Sequence, residues 1–152
     1  GHQLVLAGGI NKFSRTKAEE FLNWIDRQDD LRGKVTYLGF LGEHHLACLY
    51  RSAQAAVFFS RYEGFGLPMI EAFKAGCPVI YNSRCQVLKD HAEGVAFEID
   101  EADSVEDIRS KLADLYDDAR RPGLAREMAT VAEKYNWDNC AGQFWRLIRA
   151  IA

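Results

Sequence analysis

Two short apolar runs, residues 55–59 and 77–81, flank a stretch that reads as a turn followed by one helix. The first run leads into Glu63-Gly-Phe-Gly-Leu-Pro-Met-Ile-Glu71. Pro68 suits a first helical turn, where its missing amide hydrogen costs nothing, and Gly76 stops the helix after residues 68–75. Strand, turn, helix, strand is the rhythm of a parallel sheet wrapped by helices, with binding at the carboxyl ends of the strands.

The alternation extends to both sides. Residues 4–7 read as a buried strand ending at Gly8-Gly9, with a loop over 10–14. Phe21, Leu22 and Ile25 supply the apolar stripe of a helix over 17–27, and Gly33 breaks the chain before a strand over 34–38. Leu46, Leu49 and Tyr50 fit a short helix over 43–52, and residues 94–99 are a further strand. From Asp103 onward the pattern is helical. Either Ser104 with Asp107 or Asp103 with Glu106 opens a helix that buries Val105, Ile108, Leu112 and Leu115. A second helix runs over 122–133, and a third over 137–151 carries Phe144, Trp145 and Ile148. With these helices covering the strands, the expected fold is α/β: a Rossmann-like parallel β-sheet sandwiched by helices, with a helical C-terminal segment, in one domain over 1–152.

At 152 residues, 48% hydrophobic and 27% charged, the chain holds one sizeable core. Its net charge of -3, without a basic run, argues against a nucleic-acid partner, so an anionic ligand has to be held by local geometry. Cys48, Cys77, Cys85 and Cys140 lack pairing or metal-like spacing and read as reduced thiols of a cytoplasmic protein. No stretch is long enough to cross a bilayer, and the N-terminus lacks a basic region followed by an apolar one. The abrupt opening with a strand reads as a piece of a longer protein.

The turn before Pro68 carries the chemistry. Gly64 and Gly66 allow close backbone approach, and the helix start points free amides at whatever sits above Gly66 and Leu67, which suits a phosphate oxygen. Glu71, tilted back toward the helix N-terminus, repels phosphate but accepts hydrogen bonds from sugar hydroxyls beside it, and Glu63 on the loop side can do the same for a second sugar. Two acceptors flanking an anion-binding turn read as a nucleotide-sugar clamp. The alternative is a solvated Glu63 and a Glu71 that merely favours the helix dipole.

The run from Glu63 to Glu71, continued by Ala72-Phe-Lys-Ala-Gly-Cys-Pro-Val-Ile80, closely resembles the signature of retaining glycosyltransferases with two Rossmann-like domains (GT-B, family 4, "glycosyl transferases group 1"). Leu4-Val-Leu-Ala-Gly-Gly9 resembles the family strand that ends in a glycine loop. Val35-Thr-Tyr-Leu-Gly-Phe40 is similar to its base-proximal strand, and Tyr135-Asn-Trp-Asp138 to its aromatic entry to the last helix. The resemblance spans essentially the entire chain and identifies it as the C-terminal, donor-binding half.

The resemblance implies roles by position. Glu63 contacts hydroxyls of the donor sugar as the catalytic-site carboxylate, and the backbone at Gly64, Phe65, Gly66 and Leu67 meets that sugar and the distal phosphate. Glu71 binds the ribose hydroxyls, Gly8 and Gly9 pass near the nucleotide, and Phe40 and Leu41 border the base. No cofactor and no metal are implied; the donor is a nucleoside-diphosphate sugar, UDP- or GDP-linked. The acceptor, whether glycan, lipid-linked sugar or small metabolite, is implied to bind an N-terminal domain outside this sequence. An arginine and a lysine that neutralise the leaving diphosphate are implied just upstream of it. The full-length enzyme is expected to be cytoplasmic or membrane-associated. One departure stands beside the motif: Phe59-Ser60 replaces a common proline before the serine.

The reaction so implied is transfer of a hexose to an acceptor hydroxyl with retention, by attack on the face from which the diphosphate leaves. Glu63 then holds and polarises the sugar and is not a covalent nucleophile. Each electrostatic contact to the leaving diphosphate is worth about 3 kcal/mol, on the order of a hundredfold in rate. The rival readings are a glycoside hydrolase with paired carboxylates, an oligosaccharide phosphorylase of the same general fold, and a binding or regulatory module without chemistry.

Other residues carry less. His44 and His45 read as solvated or capping residues at a helix start, and His91 as part of a polar loop with Asp90 and Glu93 that approaches the pocket. Arg61 and Tyr62 either shape the pocket or pack at the surface, and Lys74 faces solvent. Ser83 and Arg84 either touch ligand or form a structural turn, with Cys85 beside them reachable by solvent. Trp137, Phe144 and Trp145 read as core or as an interdomain face, in which case the isolated chain exposes an apolar patch and self-associates.

Overall fold

A computed structural model of the chain describes residues 2–10, 15–92, 94–100, 103–117 and 121–151, the side chains of 114, 116, 117, 121 and 122 excepted. Most of the expected 10–14 loop and Glu93 lie outside the described residues. The chain divides into two compact units, Gly1–Leu46 and Ala47–Ala152.

In the first unit, β1 (Leu4–Ala7) and β2 (Val35–Gly39) pair in parallel, Leu4 opposite Val35 and Leu6 opposite Tyr37, connected through α1 (Arg15–Asp26). The register shifts after Leu6, so that Ala7 faces Gly39. β1 is exposed at both ends and half-buried at Val5 and Leu6, not the buried strand its composition suggests. Two strands and one helix give this unit little apolar surface to spread over both faces of the pair. Of the α1 stripe, Ile25 is buried and Leu22 half-buried, while Phe21 is exposed and stacks on Trp24 with ring centroids 6.2 Å apart.

α2 (Glu43–Ser52) has the predicted bounds and contributes Tyr50 to the buried set. The second unit then alternates β3 (Ala56–Phe58), α3 (Leu67–Lys74), β4 (Val79–Asn82), α4 (Gln86–Ala92) and β5 (Phe97–Ile99), with β4 in the middle of a parallel sheet of order β3-β4-β5. Ala56 faces Val79 and Ile80 faces Phe97, so the strands are in register and their carboxyl ends share one edge. β4 is buried along its entire length, which its unbroken apolar run from Val79 to Tyr81 demands.

The helix of the sequence motif, α3, contributes a large share of this core. Met69, Ile70, Ala72 and Phe73 are buried, each large side chain among them contributing about 1.5–3 kcal/mol by leaving water. Its far end is a Schellman stop: Gly76 is left-handed at φ 69, its amide donates to the Phe73 carbonyl at 2.9 Å, and the Cys77 amide donates to Ala72 at 3.0 Å. A β-carbon on Gly76 would sit 3.6 Å from Ala125 of α6 (Arg121–Glu133), which packs on α3 with Met128 buried. Cys77 thus belongs to the helix stop and Pro78 has no amide to donate, so β4 starts at Val79 and not at the predicted residue 77.

α4 was not expected from the sequence. Cys85, Leu88 and Ala92 are buried at three- and four-residue spacing, while Gln86 and Asp90 hydrogen-bond on the outer side at 2.6 Å. That helix takes up Asp90 and His91, which are therefore helical and not part of the polar loop expected there. Gly94, left-handed at φ 82, and the Val95 amide on the Ala92 carbonyl at 2.7 Å make the turn that delays β5 until Phe97.

Of the two candidate caps for α5 (Val105–Asp117), Ser104 with Asp107 is realised. The Ser104 hydroxyl accepts from the Asp107 amide at 3.1 Å, and the Asp107 carboxylate accepts from the Ser104 amide at 2.9 Å and hydroxyl at 2.7 Å. These bonds hold the Asp107 carboxyl below its ordinary range. Asp103 instead accepts from the Asp100 amide and from Lys111. Leu115 joins Ile80 and Ile99 in the core with Ile108 and Leu112 against them, but Val105, first after the cap, is 83% exposed. α7 (Trp137–Ile151) matches its predicted span and has no buried residue, which rules out the core reading of Phe144 and Trp145.

Candidate functional site

The loop that carries Glu63 leaves the carboxyl edge of β3. Asn82, at the carboxyl end of the neighbouring β4 and fully buried, donates from Nδ2 to the Phe59 carbonyl at 3.4 Å and accepts from the Arg84 amide at 3.0 Å. A side chain at the end of one strand thereby anchors the segments leaving two, and Phe59 with Ser60 stands where the loop is pinned.

Beyond that anchor the chain reaches Gly66, the N-cap of α3, at φ 75 and ψ 34. Only glycine adopts this left-handed geometry without strain, and a β-carbon there would lie 2.9 Å from the Leu88 side chain and 3.5 Å from the His91 ring. No side chain caps the helix. Met69 donates to the Gly66 carbonyl at 3.0 Å, Pro68 has no amide hydrogen, and the amides of Gly64, Phe65, Gly66 and Leu67 have no acceptor among the described residues. Donors left open at a helix start, next to the positive end of its dipole, suit an anion.

The two carboxylates flank this turn. Glu63 is half-buried and Glu71 is exposed in the second turn of α3, and neither has a hydrogen-bond or ion-pair partner among the described residues. Burial first, and then the Glu71 carboxylate, push the Tyr50 hydroxyl up to about 12. Acceptors left open beside open donors can take a ligand that presents both hydroxyls and an anionic group.

The remaining expected positions fall in the first unit. Gly8 is left-handed at φ 138; its amide donates to the Gly39 carbonyl at 2.8 Å and its carbonyl accepts from the Tyr37 hydroxyl at 2.8 Å. A β-carbon on Gly9 would lie 4.0 Å from the Phe40 β-carbon, Phe40 is 82% exposed, and Leu41 is half-buried. The structure thus brings Gly8, Gly9 and Phe40 together at the carboxyl ends of β1 and β2, and separately brings Glu63, the Gly64–Leu67 amides and Glu71 together around the start of α3.

Several neighbours are structural. The Ser83 hydroxyl donates to Asp100 at 2.9 Å and Arg84 pairs with the same carboxylate at 3.3 Å, stapling the end of β4 to the end of β5. Cys85 is buried, contrary to the expectation of solvent access, at the residue that leads into α4, where its carbonyl accepts from the Lys89 amide at 3.0 Å. Tyr62, Arg61 and Lys74 are exposed, and His44 and His45 are exposed with their rings edge to face.

The sequence reading missed the support behind the turn. His91, in the last turn of α4, is buried, with Nε2 2.5 Å from the Phe65 carbonyl and Nδ1 2.8 Å from the Tyr135 hydroxyl. The apolar spacing of Cys85, Leu88 and Ala92 is the signal that would have turned His91 inward.

Residues 2–135 match the family described as Glycosyl transferases group 1. Over 115 residues the chain is 35% identical to the O-antigen chain mannosyltransferase B of Escherichia coli, covering 73% of this chain and 29% of that protein. Over 143 residues it is 32% identical to an uncharacterized glycosyltransferase of Methanocaldococcus jannaschii, covering 91% of this chain and 35% of that one. Among solved structures it is similar to the sucrose-phosphate synthase of Thermosynechococcus elongatus, with a TM-score of 0.74, 25% identity, and coverage of 99% and 39% of the two chains. It is also similar in fold to HepE from Anabaena, crystallised in complex with UDP and glucose, with a TM-score of 0.82, 18% identity, and coverage of 97% and 40%. The chain therefore spans about a third of the length of the curated relatives it matches. Its α/β architecture is that of the GT-B glycosyltransferases. With its open-amide turn between Glu63 and Glu71 and its matching strands, this chain belongs to the glycosyl transferases group 1 family.

Proposed function

We propose that the chain is the donor-binding, C-terminal part of a retaining glycosyltransferase that moves a hexose from a nucleoside-diphosphate sugar to an acceptor hydroxyl. One observation carries this reading: the Gly64–Leu67 amides are open beside two carboxylates that have no partner of their own among the described residues. The amides take the distal phosphate, Glu71 the ribose hydroxyls and Glu63 the hydroxyls of the transferred sugar. Gly8 and Gly9 line the nucleotide, and Phe40 and Leu41 border the base. UDP or GDP is the expected carrier; a relative of the same fold is described in complex with UDP and glucose, and another is a mannosyltransferase.

Chemistry at the anomeric carbon needs charge stabilisation on the departing diphosphate. The helix-start amides supply part of it, and basic residues outside this sequence supply the rest, together with the acceptor site. No metal or cofactor enters this scheme. Glu63 orients and polarises the sugar while the acceptor attacks the face that the diphosphate leaves.

Isothermal calorimetry of the chain against UDP, GDP and ADP, then against their glucose and mannose conjugates, tests the reading. Selective binding of one nucleotide, weakened by Glu71→Ala, supports it and identifies the base. Equal binding by wild type and Glu71→Ala removes Glu71 from the site. In the full-length protein, turnover that persists in a folded Glu63→Gln form would remove Glu63 from the chemistry.

A further inference from the structure

The turn that presents the open amides has glycine on both sides of Phe65, so its backbone torsions are poorly restricted by its own residues. Something outside the turn has to set it. A single ring touches it twice: His91 Nε2 lies 2.5 Å from the Phe65 carbonyl, and His91 Cδ2 is 3.5 Å from where a Gly66 β-carbon would stand. Phe65, His91 and Tyr135 pack as three mutually tilted rings, with centroids 5.1, 4.8 and 5.8 Å apart.

A carbonyl only accepts, so Nε2 carries the hydrogen, and in the neutral ring Nδ1 then accepts from the Tyr135 hydroxyl at 2.8 Å. The peptide between Phe65 and Gly66 is planar and trans, as no described peptide is cis, so its C=O and N–H point in opposite directions. Pulling the carbonyl onto His91 therefore aims the Gly66 amide away from the His91 ring.

We infer that His91 is a positioning residue that, held in its Nε2–H tautomer by Tyr135, sets the Phe65–Gly66 peptide plane and thereby aims the Gly66 amide at the bound diphosphate. The last step rests on the donor-binding reading above; the orientation of the peptide does not.

The test compares His91→Gln, whose amide nitrogen reaches the place of Nε2, with His91→Asn, whose amide nitrogen falls short of it. The full chain is labelled with nitrogen-15, and the Gly66 N–H residual dipolar coupling, which reads the direction of that bond, is measured together with the affinity for UDP and GDP. A changed Gly66 coupling and about tenfold weaker nucleotide binding in His91→Asn, with both restored in His91→Gln, are the expected result. Long-range proton–nitrogen spectra of the wild type show the Nε2–H form, and Tyr135→Phe, which leaves the rings packed, shifts the ring toward a tautomer mixture. An Nδ1–H ring in the wild type, or a Gly66 coupling equal in all forms, overturns the inference. If neither nucleotide binds the wild type, the donor reading fails by itself, while the Gly66 coupling still decides the role of His91.

Discussion

α3 and α7 are both amphipathic helices legible from residue spacing, yet they end in opposite environments. α3 buries Met69, Ile70, Ala72 and Phe73 between the strands and α6, while α7 leaves Trp137 86% and Phe144 63% exposed. Periodicity says which face of a helix is apolar; it does not say whether anything in the chain covers that face. The difference follows from position. α3 lies in the crossover between two paired strands, where the connection itself presses it onto the sheet and α6 covers it, whereas α7 comes after α5 and α6, whose Leu115 and Met128 are already buried, and has no buried residue of its own.

The sharpest way to break that comparison is to remove matched side chains. Phe73→Ala should destabilise the second unit by about 3–5 kcal/mol, because the cavity is enclosed, whereas Phe144→Ser should stay within about 0.5 kcal/mol. Urea unfolding of the two variants decides it; a comparable loss for Phe144→Ser would mean that α7 is covered in solution. Trp145→Ser should also reduce any concentration-dependent association in sedimentation, since it takes area from the exposed apolar face.

A smaller effect is expected at the N-terminus of α3. Gly66→Ala forces a left-handed alanine against Leu88 and should cost about 1–2 kcal/mol, together with most of the nucleotide affinity. A variant that binds UDP or GDP as tightly as wild type would show that the turn does not need its geometry. At α5, which has a side-chain cap where α3 has none, Ser104→Ala should cost about 1 kcal/mol. An unchanged melting temperature would make that cap decorative.

The smallest expected effect is electrostatic. The Tyr50 hydroxyl is raised from 10 to about 12 by burial and by Glu71, and Tyr81 is raised to about 12 by burial and its bond to Glu98. A phenol whose folded value is raised stabilises the fold fully below the unfolded value of 10, and that contribution is lost as pH climbs from 10 through 12. Alkaline unfolding curves should therefore fall over this window, and less steeply in Tyr50→Phe; an identical slope would place Tyr50 outside the linkage.

Much of this molecule was legible before any coordinates. The turn and helix at Pro68, the stop at Gly76 and the caps at Ser104 all depend on backbone chemistry within a few residues, and they stand where the residues placed them. The unread parts depend on partners distant in sequence. α4 is short, and the apolar residues buried at its entry and along it, Cys85, Leu88 and Ala92, are too modest to stand out until they pack inside the second unit. The same holds for the ends of the strands, where Pro78 and Gly94 moved the starts of β4 and β5 through turns.

The site divides in the same way. Residue types alone determined that a glycine-rich turn enters a proline-started helix between two carboxylates, because φ, a missing amide and side-chain reach are local properties. Tertiary structure alone decided that Ser83 and Arg84 face Asp100 and that Phe65 rests on His91, with Tyr135 behind it. Those contacts join residues 16 to 44 positions apart, and only the folded chain pairs a donor with an acceptor at such separations.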